Sequence, residues 1–287
     1  MGKKLLWICI FLLAISVPIN ALAEGEVVVS LGADLTQAQR DEMLELFGVK
    51  EDEVTIIEVT NEEERNYLEG LVSEKTIGTR AISSCYVKPL EEGEGIIVET
   101  HNITWVTREM FANAMVTAGV QNAHVIAGAP FGVSGTAALT GIMKAFEQAE
   151  GENLSEEAKK IASEELVTTG ELGDKIGKDK AAELIKEIKE RVISEQVKDS
   201  DDIRRIIIEI SGELNINLSH EQIDQIVNLM EKIRNLDLNV ENIREQLGKI
   251  AGSLDDVRKK VEENKGLIQK ILDAILSFFN WIRGLLS

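Results

Sequence analysis

The stretch HVIAGAPFGVSGTAALTGIMKAFE, residues His124–Glu147, decides the fold that the rest of the chain must fit. It joins a strand-like apolar run, which begins at Ala123, to a helix-like run through a glycine-rich turn. Small residues such as Gly135 and Gly141 allow the predicted helix to approach a sheet or another helix closely. A strand followed directly by a packed helix is typical of α/β and α+β layer domains.

The turn in this stretch is similar to several known sites and matches none of them. A P-loop requires a lysine before its serine or threonine, and no lysine precedes Thr136. Gly128, Gly132 and Gly135 miss the dinucleotide-binding spacing, and a nucleophile elbow needs one more residue between Ser134 and its second glycine. We therefore interpret it as a packed turn in which Ser134 or Thr136 caps the helix, with anion binding and catalysis as alternatives.

Strand-like and helix-like runs alternate through residues 26–148. The first predicted helix carries a capping box of Thr36 and Gln39 and ends at Gly48. The runs 79–90 and 94–106 flank the polar turn Glu91–Gly95, which predicts that they pair as a hairpin. Further strands are predicted at 26–32 and 53–59, and further helices at 61–71 and 107–119.

The chain is helical in character from Leu154 onward. Helix starts are predicted at Ser155, at Asp199 or Ser200, and at Ser219. Three glycines in LVTTGELGDKIGKDK, residues 166–180, predict that the helical pattern is broken there. The fold class is therefore an α+β or α/β N-terminal layer domain followed by an all-helical region, which ends in a heptad-patterned amphipathic helix.

The chain divides into four predicted segments. Lys3 and Lys4, the apolar run Leu5–Val17 and the A-x-A pattern of residues 21–23 are typical of a secretory signal peptide cleaved after Ala23. An uncleaved membrane anchor is the alternative, although the apolar run is shorter than the ~20 residues that a span requires. The segments are a signal peptide at 1–23, an α/β domain at 24–150, a helical domain at 151–238 and coiled-coil-like helices at 239–287.

Charge and cysteine content restrict the partners. Cleavage lowers the formal net charge from −19 to −21, because two lysines and no acidic residues are lost. Such an acidic chain is not expected to bind nucleic acid, whose phosphates require lysine and arginine. Cys85 becomes the only cysteine, so we expect a buried, inert thiol and no internal disulfide.

A second polar cluster lies in VETHNITWVTRE, residues 98–109. Alternation along a strand places Glu99 and His101 on one face and Asn102 on the other. Glu99 could act with His101 in acid–base chemistry, or pair with Arg80 if their strands are hairpin neighbours. We expect no metal and no cofactor, because the third metal ligand is missing. The candidate binding residues are Arg80, Glu99, His101, Asn102, Ser134 and Thr136.

The C-terminal region carries a heptad pattern. From Val240 onward, apolar residues occupy thirteen of fourteen positions at alternating spacings of three and four. After residue 265 the apolar arc widens and the balance of charge becomes positive. This segment could lie on a membrane surface, dock on the protein's own helical half, bind an envelope partner or mediate self-association. Its predicted contact face consists of Ile268, Ile271, Ile275, Phe278, Phe279, Trp281, Ile282 and Leu285.

Several blocks of the chain resemble the DUF1002 family. They include VSLGADLTQAQRDEML, VTNEEERNYLEG, IGTRAISSCYV, VETHNITWVTREMFANAMVTAG and APFGVSGTAALTGIMKAFE. The resemblance covers about residues 24–250 and implies an extracytoplasmic protein of Firmicute-type bacteria, in a Gram-positive envelope. It implies no reaction and no catalytic residue, because the family has no established activity.

We therefore expect a secreted, envelope-associated protein that binds a ligand or partner and is not an enzyme. The alternative is a secreted enzyme acting on envelope material, with its site near Arg80, Glu99, His101 and Ser134.

Overall fold

The computed structural model describes residues 26–71 and 77–250. The predicted signal peptide and the predicted contact face of segment 265–287 lie outside these residues. Five strands are described: β1 (Val28–Gly32), β2 (Thr55–Val59), β3 (Ser84–Pro89), β4 (Ile96–Ile103) and β5 (Ala123–Val133). The helices of the first half are α1 (Gln37–Phe47), α2 (Asn61–Leu68), α3 (Arg108–Ala118) and α4 (Thr136–Glu150).

The second half of the described chain is helical. It contains α5 (Glu156–Ile176), α6 (Lys178–Ser194), α7 (Ser200–Glu213) and α8 (His220–Asn235). A further helix, α9, covers residues 240–250. Ser155, Asp199 and Ser219 are the N-caps of α5, α7 and α8, as predicted. The fold class predicted from the sequence is confirmed.

The five strands form one mixed sheet in the order β2-β1-β3-β5-β4. β1 is parallel to β2 and β4 is parallel to β5, whereas β3 is antiparallel to both of its neighbours. The predicted hairpin of β3 and β4 is therefore wrong, because β5 lies between them. β5 buries Ala123, Val125 and Ala127 completely, and it pairs with β3 on one side and β4 on the other.

Helices cover both faces of the sheet. α1 packs Met43, Leu44 and Phe47 against Val29 and Leu31 on one face. The other face carries α3 and α4. Gly141 of α4 comes so close to the sheet that an added Cβ would lie 2.9 Å from Ser30 Oγ, which confirms the close approach predicted from the small residues.

One hydrophobic cluster runs from the sheet into the helical half. It includes Val125 of β5, Leu166 of α5 and Leu247 of α9. Cys85 is fully buried in this cluster, and burial raises the pKa of its thiol to about 12, so the expected inert thiol is confirmed. No helix in the described part of the chain is long and apolar enough to cross a membrane.

The helical pattern is broken at only one of the three glycines in residues 166–180. α5 continues through Gly170 and Gly173 and ends at Gly177, which has φ 99°. Gly170 lies under the ring of Trp105, and a Cβ at this position would overlap the ring. The predicted break in this segment is confirmed at Gly177, whereas the helix continues through Gly170 and Gly173 because glycine there makes room for packing.

Replacing Gly170 with alanine should therefore destabilise the protein by about 2 kcal/mol, because the added methyl group displaces Trp105. Gly212→Ala in α7 is the matched control, since an added Cβ there has no heavy atom within 4 Å. It should stabilise the protein by about 0.5–1 kcal/mol, as alanine does in exposed helices. Urea unfolding followed by circular dichroism measures both. Equal effects of the two substitutions would contradict the packing role of Gly170.

Candidate functional site

A cavity of about 270 Å³ lies where α2, the segment before β3, the end of β5 and the start of α4 meet. Two contacts position the segment before β3 beside this cavity. Gly32 at the end of β1 lets Ala81 pack directly on the backbone, and Asp34 Oδ2 accepts a hydrogen bond from Ala81 N at 2.8 Å. The cavity is lined by Glu64, Ile77, Gly78, Thr79, Arg80, Ile82, Ser83, Phe131, Val133, Ser134, Thr136 and Ala137.

A chain of hydrogen bonds connects a buried acid to the cavity. Thr136 Oγ1 donates to Glu64 Oε1 at 2.6 Å, and Ser134 Oγ lies 3.1 Å from Thr136 Oγ1. Asn61 Nδ2 donates to the second carboxylate oxygen at 3.3 Å. Glu64 and Thr136 are each only 1% exposed, whereas Ser134 is partly exposed. Ser134 is thus the solvent-accessible end of this series of hydrogen bonds.

The buried position changes the acidity of Glu64. Burial raises the pKa of its carboxyl from 4.5 to about 7, against the opposing effects of the hydrogen bonds from Thr136 and Asn61 and of the Arg65 charge. The two forms are therefore similarly populated near neutral pH. Because each hydroxyl has one proton, ionised Glu64 orients both donors inward and leaves Ser134 as an acceptor. Protonated Glu64 allows the reverse direction, in which Ser134 donates into the cavity.

Two groups with positive charge lie near Ser134, the accessible end of these hydrogen-bonded side chains. α4 begins after Gly135, which has φ 97° and provides no side-chain cap. The expectation that Ser134 or Thr136 caps this helix is wrong, because the Thr136 hydroxyl bonds to Glu64. Arg80 is exposed and makes no ion pair or hydrogen bond within the described residues. An uncapped helix N-terminus and an unpaired guanidinium together attract anions.

Arg80, Ser134 and Thr136 therefore meet in one cavity, whereas the other predicted site residues lie on β4. Glu99 bonds to His124 Nε2 at 2.9 Å, and neither Arg80 nor His101 is its partner. His101 is exposed on the edge strand. Asn102, at φ 57°, donates to Ala129 O in a bulge that interrupts the predicted alternation. None of the three β4 residues lines the cavity.

Sequence analysis missed Glu64. The run of acids at residues 62–64 indicates a solvated helix start, and this interpretation holds for Glu62, which is exposed. Glu63 completes the capping box with Thr60 and pairs with Lys144 at 2.6 Å. Glu64 instead lies four residues before Leu68, on the buried face of α2. That helical spacing is the only signal in the sequence that distinguishes it from its neighbours.

Comparison with known proteins assigns this chain to a family whose activity is unknown. The family described as "Protein of unknown function (DUF1002)" matches residues 31–250. The chain is also 42% identical over 288 residues to a protein of Bacillus subtilis (strain 168) named "Uncharacterized protein YpuA". That match covers 97% of this chain and 98% of the relative. No solved structure matches the chain.

The raised pKa of Glu64 predicts that its burial reduces stability as the pH rises. The folded state holds the proton up to about pH 7, whereas the unfolded chain releases it near 4.5. Protonated Glu64 therefore makes its full contribution to the free energy of unfolding below pH 4.5. This contribution is lost as the pH rises from 4.5 to about 7. Glu64→Gln cannot ionise, so its stability relative to the wild type should rise by about 2.5 kcal/mol between pH 5 and pH 8.

Urea unfolding at both pH values measures this difference. Glu62→Gln removes the same charge on the exposed face of the same helix and is the matched control. A stability difference between Glu64→Gln and the wild type that stays constant with pH would mean that Glu64 titrates normally.

Proposed function

The chain belongs to the DUF1002 family, a family of unknown function, and from this premise we propose that it is a secreted, envelope-associated binding protein. In this proposal the α/β half holds a small anionic ligand in the Glu64 cavity. The protein acts by binding and does not catalyse a reaction. The C-terminal segment 265–287 serves as an association face.

The observation that carries the proposal is the buried acid at the end of the hydroxyl chain. A carboxyl that is half protonated near neutral pH can let Ser134 donate to an anion, while Arg80 supplies the charge. The first turn of α4 adds N–H groups that no side chain caps. These three features converge on one cavity, and they are those of an anion-binding site.

The composition of the chain supports an extracytoplasmic location. Its N-terminal 23 residues have the charge, apolar run and cleavage pattern of a signal peptide. The secreted form would retain Cys85 as its only cysteine, and this thiol is buried beyond the reach of oxidants. An envelope protein without accessible thiols does not depend on the redox state outside the cell.

A second candidate function is catalysis by Ser134. The hydroxyl chain could carry a proton from Ser134 through Thr136 to Glu64, which has a pKa near that of a useful general base. This arrangement differs from the site expected from the sequence, because Glu99 and His101 take no part in it. It would suit acyl transfer from envelope material, and Ser134→Ala would abolish turnover.

Sulfate is a suitable probe of the proposed site because its charge is constant near neutral pH. Binding to the secreted form, residues 24–287, should weaken roughly tenfold between pH 6 and pH 8, as Glu64 ionises. Glu64→Gln should bind with no such pH dependence, and Arg80→Gln should bind about tenfold more weakly at pH 6. Isothermal titration calorimetry measures all three.

Arg205→Gln is the matched control, since Arg205 is exposed on α7 and pairs with Asp202 at 2.9 Å, away from the cavity. If sulfate does not bind the wild type, or binds Arg80→Gln and Arg205→Gln equally, the cavity is not an anion site.

The proposed location predicts processing after Ala23. Expression of the full chain in Bacillus subtilis, the host of its relative, should yield a mature N-terminus at Glu24 outside the cytoplasm. Replacing Ala21 and Ala23 with aspartate should block cleavage, because the processing site requires small residues. Asn20→Gln leaves these positions intact and should be processed normally. Cell fractionation followed by N-terminal sequencing measures both location and processing. A cytoplasmic protein that retains residues 1–23 would contradict the proposed location.

A further inference from the structure

A second and larger cavity, of about 580 Å³, lies on the other side of β4 from the sheet centre. We call it the α3–α6 groove, because the N-terminal halves of α3 and α6 form its walls together with the end of β4. Ile250, the last described residue, also lines it. Its apolar lining consists of Ile103, Trp105, Val106, Ala182 and Ile250.

An acidic stripe runs along the α6 wall of the groove. Asp179, Glu183 and Glu187 line it at intervals of four residues, which places them on one face of the helix. Asp179 and Glu183 are exposed and have no ion-pair partner among the described residues. Three cations line the groove, and each already has an acidic partner. Lys178 Nζ pairs with Asp174 at 2.7 Å and lies over the Trp105 ring. Lys186 pairs with Glu187 at 2.9 Å and Arg108 with Glu109 at 3.7 Å. The groove therefore offers uncompensated negative charge beside an apolar surface.

The wall of the groove also contains an unpaired hydrogen-bond acceptor. Asn113 is 1% exposed, and its Nδ2 donates to Ala182 O at 3.0 Å. Its Oδ1 is the one buried side-chain oxygen or nitrogen in the described part of the chain without a partner. Buried acceptors are normally satisfied, and an unsatisfied one costs free energy until a donor reaches it. The contact between α3 and α6 beneath the groove thus leaves one polar atom unsatisfied.

The chain itself continues from the edge of this groove. After Ile250 it extends for 37 further residues, to residue 287. Residues 265–287 contain Lys265, Lys270 and Arg283 and only one acid, Asp273, in a protein whose net charge is −19. The same segment carries the apolar heptad positions. Its apolar residues and cations are complementary to the apolar lining and acidic stripe of the groove.

We propose that the α3–α6 groove is the docking site for the chain's own C-terminal segment, residues 265–287. The intervening residues 251–264 span about 20 Å as a helix and about 45 Å when extended, so the segment can reach the groove in either state. A tethered segment has an effective concentration in the millimolar range, which favours it over a free partner or a second copy. In that case segment 265–287, the association face in the proposed function, binds the groove of its own chain.

Tryptophan fluorescence tests this docking in the secreted form, residues 24–287. With Trp105→Phe, Trp281 is its only tryptophan. In this background Trp281 should be shielded from acrylamide at every protein concentration and without lipid. Adding Asp179→Lys and Glu183→Lys should raise the quenching constant roughly threefold, because the attraction becomes repulsion. Glu183→Lys alone should act in the same direction, which covers the case that the double variant does not fold.

Two further variants make the result specific. Glu42→Lys with Glu45→Lys makes the same charge change on the exposed surface of α1 and should leave the quenching unchanged. Lys265→Glu with Lys270→Glu, added to the groove double variant, should restore the shielding by exchanging the charges.

Three outcomes would overturn the proposal. Trp281 could be equally accessible in the groove variants and in the α1 control, in which case the groove does not hold the segment. Shielding that grows with protein concentration would identify a second copy as the partner. Shielding that requires added phosphatidylglycerol vesicles would identify a membrane surface.

Discussion

The buried ion pair of Lys189 and Glu165 determines how the two halves of the molecule fit together. Lys189 is fully buried and Glu165 is 1% exposed. The three donors of Lys189 Nζ reach Glu165 Oε1 at 2.7 Å, Thr117 Oγ1 at 2.9 Å and Asn113 O at 2.8 Å. Burial lowers the pKa of the ammonium group. Desolvation of two charges costs several kcal/mol, and only this complete set of partners offsets it. The pair therefore tolerates only one arrangement of α3, α5 and α6.

Both cavities depend on that arrangement. The position of α5 places Val167 against Leu68 of α2 and Ile77, and this small cluster helps to hold α2 where Glu64 is buried against the start of α4. The position of α6 relative to α3 forms the groove in which Asn113 keeps an unpaired oxygen. Polar groups that are expensive to bury thus occur at the two places where we propose ligands. A fold selected for stability alone would not be expected to retain them.

Much of the local structure could be predicted from the sequence, because its causes are local. The capping boxes at Thr36 and Ser219, the left-handed glycine after α1 and the N-cap Thr107 act within a few residues of one another. The stretches of sequence that resemble the DUF1002 family were also enough to assign the chain to it, and this assignment is confirmed over residues 31–250. Of the candidate site, Arg80, Ser134 and Thr136 were named from the sequence. They were grouped with Glu99 and His101, which lie on another strand.

The sequence by itself determined most of the helices and strands and indicated that Cys85 is a buried thiol. Tertiary structure alone decided that β5 separates β3 from β4, that Gly170 packs under Trp105, and that Glu64 is buried while Glu62 remains exposed. The physical reason is how far apart in the sequence the interacting residues lie. Capping and periodicity act over three or four residues, whereas strand order and the burial of a charge depend on contacts between residues far apart in the chain.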